Sequence, residues 1–144
     1  MTLIELLVVM GVIGLLVSIT LPTMSGYVQR VRLKAATRQV VGLVSLARSY
    51  AISSGADHVV VIDEERKELR VVNQASGETL EHVVHLPSSV SVALEQGGEP
   101  AAQAQFVFRP TGALEGRTVS LVLEDHDRRH TVTVMGTTGA VSVQ

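Results

Sequence analysis

Cysteine is absent from this 144-residue chain, and aromatic residues nearly so: there are two Phe, two Tyr and no Trp. Without cysteine there is no disulfide scaffold, no thiolate zinc site and no thiol nucleophile. Aromatics make up 3% of a chain that is 46% hydrophobic, so the apolar content is mostly Val, Leu, Ile and Ala. Much of it is concentrated at one end, which leaves a thin core for the remainder. An excess of one charge is lacking too. The net charge of −2 gives no reason to expect nucleic acid as a partner. Nor is there a nucleophile elbow, a phosphate loop or an HExxH pair. His82 and His85 are three apart, which on a strand puts them on opposite faces and speaks against a shared metal. Asp125-His126-Asp127 with His130 reads as a solvated hairpin tip, where Arg128 and Arg129 oppose a bound cation. The chain is accordingly not read as an enzyme, and no catalytic residue, cofactor or metal is expected.

What is present begins with an apolar run. From Leu6 to Gln29 no residue is charged, and Leu6–Leu21 reads LLVVMGVIGLLVSITL, apolar on every helical face. A helix rises about 1.5 Å per residue, so roughly 20 residues cross a hydrocarbon core of about 30 Å. Counted from Met1 to near Met24, the segment is long enough to span. A cleaved secretory signal fits poorly: nothing basic precedes the run, and a well-patterned helix follows it. Glu5 interrupts the apolar character. As a helix cap, it lies one turn from the start, where the helix end favours negative charge. There Thr2-Leu3-Ile4-Glu5 matches a capping box. As a carboxylate in lipid, it would need a cation, and the nearest is an N-terminal amine, its own or a neighbouring copy's. The two readings are compatible. Gly11, Gly14 and Ser18 share one face, and Gly14 with Ser18 makes a small-xxx-small pair suited to close helix packing. Glycine is also simply common in membrane helices.

The stretch Met1-Thr2-Leu3-Ile4-Glu5-Leu6-Leu7-Val8-Val9-Met10 resembles the mature N-terminus of type IV pilins and type II secretion pseudopilins. The usual form there is Phe-Thr-Leu-Ile-Glu-Leu, and Pro22 stands where these helices usually carry a kink-tolerating proline. The resemblance implies that a prepilin peptidase removes a short basic leader and methylates the new N-terminus, here Met1. It also implies that Glu5 sets filament registry by pairing with the N-terminal amine of the adjacent subunit. Met in place of the usual Phe is a departure, and Met1 reads either as the processed terminus or as an initiator. Arg30, Arg32, Lys34 and Arg38 follow the span, and the positive-inside rule would place that side in the cytoplasm. A basic leader of the kind the resemblance implies would outweigh them and leave the C-terminal domain outside.

From Tyr27 to Ser53 the apolar positions Val31, Ala35, Val40, Leu43, Val44, Ala47 and Ala51 recur at helical spacing. Arg30, Lys34 and Arg38 recur every fourth residue on another face. Ser53-Ser54-Gly55 ends the pattern, with Gly55 as a left-handed cap. One helix is therefore expected from near Thr2 to about Ser53, bent or loosened at Pro22. Its first half faces lipid or a filament core, and its second half packs on a globular domain. The basic stripe reads as a solvated face, as a contact for anionic headgroups or an acidic patch on a neighbour, or as a DNA phosphate contact. No aromatic residue interleaves it, so stacking on single strands has no support.

Beyond Gly55 the sequence reads as short strands at Val59–Ile62, Leu69–Val72, Thr79–His85, Val90–Leu94, Gln105–Phe108, Thr118–Leu123, His130–Val134 and Ala140–Val143. Asp63–Lys67, Glu124–Arg129 and Gly136–Gly139 read as turns, and Glu95–Ala104 as a mobile loop. Val119, Leu121 and Leu123 alternate with Thr118, Ser120 and Val122 in a half-buried pattern. A long helix followed by about seven short strands indicates an α+β fold with antiparallel sheet. The expected organisation is a membrane or filament-core helix over 1–26, its amphipathic half over 27–54 and a β domain over 55–144. Phe108-Arg109-Pro110-Thr111-Gly112 and the Gly-linked final strands resemble the minor pseudopilin H and FimT-type subfamily. The resemblance as a whole implies a minor, structural subunit of the inner membrane. Such a subunit has one membrane pass and a C-terminal domain in the periplasm or on the filament exterior. Its partners would be other pilin subunits, the assembly platform and the peptidase, and it would enter or cap a type II secretion pseudopilus or a type IV pilus. The alternative is a membrane-tethered DNA-binding pilin using Arg30, Lys34, Arg38 or the Arg128-Arg129 turn. In FimT-type pilins a basic tail serves that purpose, and Val141-Ser142-Val143-Gln144 carries no basic residue.

Overall fold

The computed structural model describes residues 2–144, the side chains of residues 20–25 excepted. Met1, the expected site of processing, lies outside the described residues, and so does the side chain of Pro22. The chain divides into two compact units, Met1–Arg32 and Leu33–Gln144. A single helix, α1 (Leu3–Ser54), supplies the described part of the first unit and the opening of the second. It stops at Gly55, whose φ of 65° is the left-handed conformation that ends a helix without a side-chain clash.

In the second unit α1 buries Leu33, Ala36, Thr37, Val40, Leu43, Val44, Ala47 and Ala51, a stripe that recurs every three or four residues. Five of these positions match the sequence expectation, namely Val40, Leu43, Val44, Ala47 and Ala51. Val31 and Ala35 do not: both are exposed, and Leu33, Ala36 and Thr37 lie inward. The polar Thr37 is tolerated inside because its hydroxyl donates to Leu33 O at 2.8 Å.

Two antiparallel sheets complete this unit. The first has the order β3-β2-β1-β6, built from β1 (His58–Asp63), β2 (Glu68–Asn73), β3 (Val84–His85) and β6 (Gln105–Phe108). The second has the order β5-β4-β7-β8-β9. It comprises β4 (Ser91–Gln96), β5 (Glu99–Pro100), β7 (Val119–Asp125), β8 (Arg128–Val134) and β9 (Val141–Val143). The α+β class is as expected. One contiguous apolar cluster joins α1 to both sheets, with Phe108 its largest fully buried side chain. Phe106 meets Phe108 edge-on at 5.8 Å, so the two phenylalanines fill what is otherwise an aliphatic core.

Three segments differ from expectation. Thr79–His85 is not one strand. Leu80 N donates to Val71 O, and Val84 faces Leu69. The segment thus advances from 80 to 84 while β2 retreats only from 71 to 69, and the surplus residues bulge out of the ladder. Glu95–Ala104 is not a loop throughout. Gly97 and Gly98 (φ 66° and 91°) form a tight turn between β4 and β5, and Ala101 N then donates to Leu94 O. Ala101 and Ala104 pack on the core. Glu124–Arg129 is mostly strand, because Glu124 pairs with Arg129 and Asp125 with Arg128, leaving a two-residue turn at His126-Asp127. Along β7 the inward set Val119, Leu121 and Leu123 is buried as expected, but Val122 on the other face is buried as well.

Asp125 anchors that turn. Its side chain is fully buried, accepting from Ser89 Oγ at 3.3 Å and lying 2.8 Å from His126 Nδ1. Replacing Asp125 with alanine removes both contacts and empties a fully buried site. It is expected to cost about 2 kcal/mol, seen as a lowered unfolding midpoint of the full chain, whereas Asp127→Ala at the exposed tip leaves the midpoint unmoved.

Candidate assembly surfaces

At the start of α1 the geometry is a reciprocal cap. Glu5 N donates to Thr2 Oγ1 at 3.3 Å, and Thr2 N donates to Glu5 Oε2 at 3.4 Å. The carboxylate is therefore held beside the first turn and remains exposed. Downstream, every large hydrophobic side chain from Leu3 to Ile19 is between 49% and 83% exposed. Isolated exposed hydrophobic residues are ordinary, but a continuous apolar cylinder needs a covering surface. Among the described residues no helix is long and apolar enough to cross a membrane. The run read from the sequence, Leu6–Leu21, extends into residues whose side chains lie outside the description. A Cβ placed on Gly11 or Gly14 would meet nothing within 4 Å, and Ser18 Oγ donates to Gly14 O at 2.6 Å. The small-residue face is thus open, and its one hydroxyl is satisfied within the helix.

Arg30, Lys34 and Arg38 are all exposed, and among the described residues none forms an ion pair. Lys34 and Arg38 also line a groove of about 520 Å³ with Thr37, Val41, His130 and Val143. Sequence reasoning missed His130 and Val143 as part of this surface. The available signal was the period-two set His130, Val132, Val134, which places the histidine on the inward face of β8. Thr37 ties the groove together. Its proton goes to Leu33 O, so the 2.9 Å contact with His130 Nδ1 is donated by the imidazole.

The Phe108–Gly112 element is a structural joint. Gly112 O accepts from Arg48 Nε at 3.1 Å, which links it to α1. Gly112 itself has φ 80° and packs so closely that a Cβ would come within 2.8 Å of Ile52. From the other side Gly139 (φ 64°) presses against the same carbonyl, and a Cβ there would lie 1.9 Å from Gly112 O. The motif therefore fixes one point where helix, β6 and the β8–β9 turn converge. No group of three or more His, Asp or Glu side chains capable of holding a metal occurs among the described residues.

A long N-terminal helix laid on antiparallel sheet, with its leading turns bare, defines a pilin-like α+β protein. The model of the family described as type II transport protein GspH matches residues 36–138. The chain belongs to that family. Its fold is shared by the minor pseudopilin EpsH of the Vibrio cholerae type 2 secretion system. That similarity has 20% identity and a TM-score of 0.63, covering 78% of this chain and 96% of that one. It is shared also by the type IV minor pilin FimU of Pseudomonas aeruginosa, at 15% identity and a TM-score of 0.65, covering 82% and 92%. Among curated proteins no sequence matches.

Proposed function

We propose that this chain is a structural subunit that inserts in the bacterial inner membrane through the N-terminal part of α1. From there it enters or caps a type II secretion pseudopilus or a type IV pilus, with its β domain outside the membrane. The observation that carries this reading is the exposed apolar cylinder from Leu3 to Ile19, joined in one chain to a GspH-family domain. Lipid covers such a surface before assembly, and the helices of neighbouring subunits cover it afterwards. On this reading Glu5 pairs with the terminal amine of an adjacent subunit, Gly11, Gly14 and Ser18 admit close helix packing, and Met1 is the processed, N-methylated residue. The amphipathic half over 27–54 and the β domain over 55–144 then form the part that other subunits meet.

Because the chain has no cysteine, single engineered cysteines report neighbours without background. With Cys introduced in turn at Leu7, Gly14 and Ile19 of this chain and at the matching positions of the co-assembled pilins, oxidation in the source bacterium is expected to give disulfides within sheared filaments for Gly14→Cys. Cells lacking the assembly machinery should give none. Full membrane extraction by salt wash alone, with no cross-link at any position, contradicts the proposal.

A further inference from the structure

The second sheet ends on β9, and β9 is an open edge. Thr131 and Gln144 exchange both backbone hydrogen bonds, and Met135 N donates to Ala140 O. In an antiparallel ladder, hydrogen-bonded pairs alternate with non-bonded ones. Val141 and Val143, facing Val134 and Val132, therefore turn their N–H and C=O groups away from β8. The other terminal strands offer less pairing length or are already engaged. β5 is two residues long and ends in Pro100, which has no N–H to offer. β3 is equally short. The outer side of β6 is engaged by Glu115 N on Val107 O and by the Phe108–Leu114 bridge.

The ground beside β9 is chemically selective. The groove of about 520 Å³ has Val41 and Val143 as apolar surface, Lys34 and Arg38 as unpaired cations, and His130 held by Thr37. Val143 is 51% exposed although it stands on the face that carries the buried Val132. A strand added to β9 would place an inward side chain against Val143 and Val41, and would pass between this edge and the two cations. A second copy docked edge to edge would bring Lys34 and Arg38 of both copies towards one another with no acid in either groove. Like charges across such a contact disfavour it.

We infer that the β9 edge and the groove between it and Lys34, Thr37, Arg38 and Val41 receive an extended acidic segment of a partner polypeptide. The segment docks by strand addition, with carboxylates on Lys34 and Arg38 and a small aliphatic side chain against Val143. The inference deepens the assembly reading by giving a partner's chemistry, and depends on that reading only for which molecule supplies the segment.

The test uses the full chain, isotope-labelled, in micelles of a zwitterionic detergent. The probe is a blocked heptapeptide in which Glu, Val and Glu alternate with Thr, so that both carboxylates and the valine project from one face of the strand. Saturable amide shifts are expected at Val141, Val143, Lys34, Arg38 and His130. Affinity is expected to weaken about fivefold from low to physiological salt. The double variant Lys34→Glu, Arg38→Glu, which alters only exposed side chains, is expected to bind at least about tenfold more weakly while keeping its amide spectrum. A peptide N-methylated at alternate residues on its pairing edge is expected not to bind. Equal binding by that N-methylated peptide, or by a Lys–Val counterpart, overturns the proposal, as does the absence of saturable shifts. Shifts at Lys34 and Arg38 on adding phosphatidylglycerol, with the acidic peptide inert, assign the groove to lipid headgroups instead and also overturn it. Failure of the cysteine cross-links leaves this binding result standing, so the two readings fail separately.

Discussion

Gly139→Ala is expected to lower the unfolding midpoint of the full chain by roughly 10 °C or more. The added Cβ would lie 1.9 Å from Gly112 O and 2.9 Å from Arg48 Nε. The first obstacle is backbone, so it cannot swing aside as a side chain can. Left-handed φ adds about 1–2 kcal/mol for a residue bearing a Cβ, and overpacking adds typically 1–3 kcal/mol. Together these approach about 3 kcal/mol or more, a large share of the roughly 5–15 kcal/mol that holds a domain folded. For a unit of this size about 4 °C accompanies each kcal/mol. Two controls separate strain from space. Gly77 has φ 69° but open surroundings, so Gly77→Asn is expected to be nearly neutral, since Asn tolerates that conformation. Gly139→Asn meets the same carbonyl and should fail as badly as alanine. Equal tolerance of Asn at both positions would show that conformation, not crowding, is what Gly139 supplies.

Glu5→Ala is expected to abolish incorporation into sheared filaments while membrane insertion stays normal. Insertion should, if anything, improve, because a carboxylate in lipid costs at least about 2.5 kcal/mol. The capping geometry seen between Thr2 and Glu5 gives the residue a second role, and Glu5→Gln tells the two apart. Glutamine keeps the cap, since the capping box accepts Glu or Gln, but cannot neutralise an amine. Loss of incorporation in both variants assigns Glu5 to charge pairing between subunits. Normal assembly of the glutamine variant reduces it to a cap and removes its part in registry.

Legibility in the sequence follows the range of the interactions involved. The stop at Gly55 and the pairing of β1 with β2 depend on neighbours a few residues away, and both could be read from spacing and turn chemistry. The phase of α1 could not be fixed at its upstream end. Val31 and Ala35 fit a helical period as well as Leu33 and Ala36 do, and only the position of the sheets selects the second pair. The bulge at 81–83 is invisible locally, because it reflects the count of residues in β2 against those facing it. Gly97-Gly98 and Pro100 read as part of a mobile loop, because the pairing of Glu99 and Pro100 depends on β4 running on to Gln96. At the candidate surfaces, Glu5, Gly14 and the basic stripe lie on one helix and could be listed from spacing alone. His130 and Val143 join Lys34 and Arg38 only through the fold, across about a hundred residues of chain.

That separation also governs the order in which the domain can form. The helix stripe Leu33–Ala51 emerges early, yet its partners Val132 and Val134 and the clasp of Gly139 on Gly112 arrive with the final hairpin. Contacts this distant must close a long loop before they stabilise anything, which slows folding. The first sheet can cover part of the helix face earlier, but a growing chain lacks the rest of that cover until almost its last strand appears. Until that hairpin is made, a chaperone that holds residues 33–51 would keep the uncovered part of the stripe from aggregating.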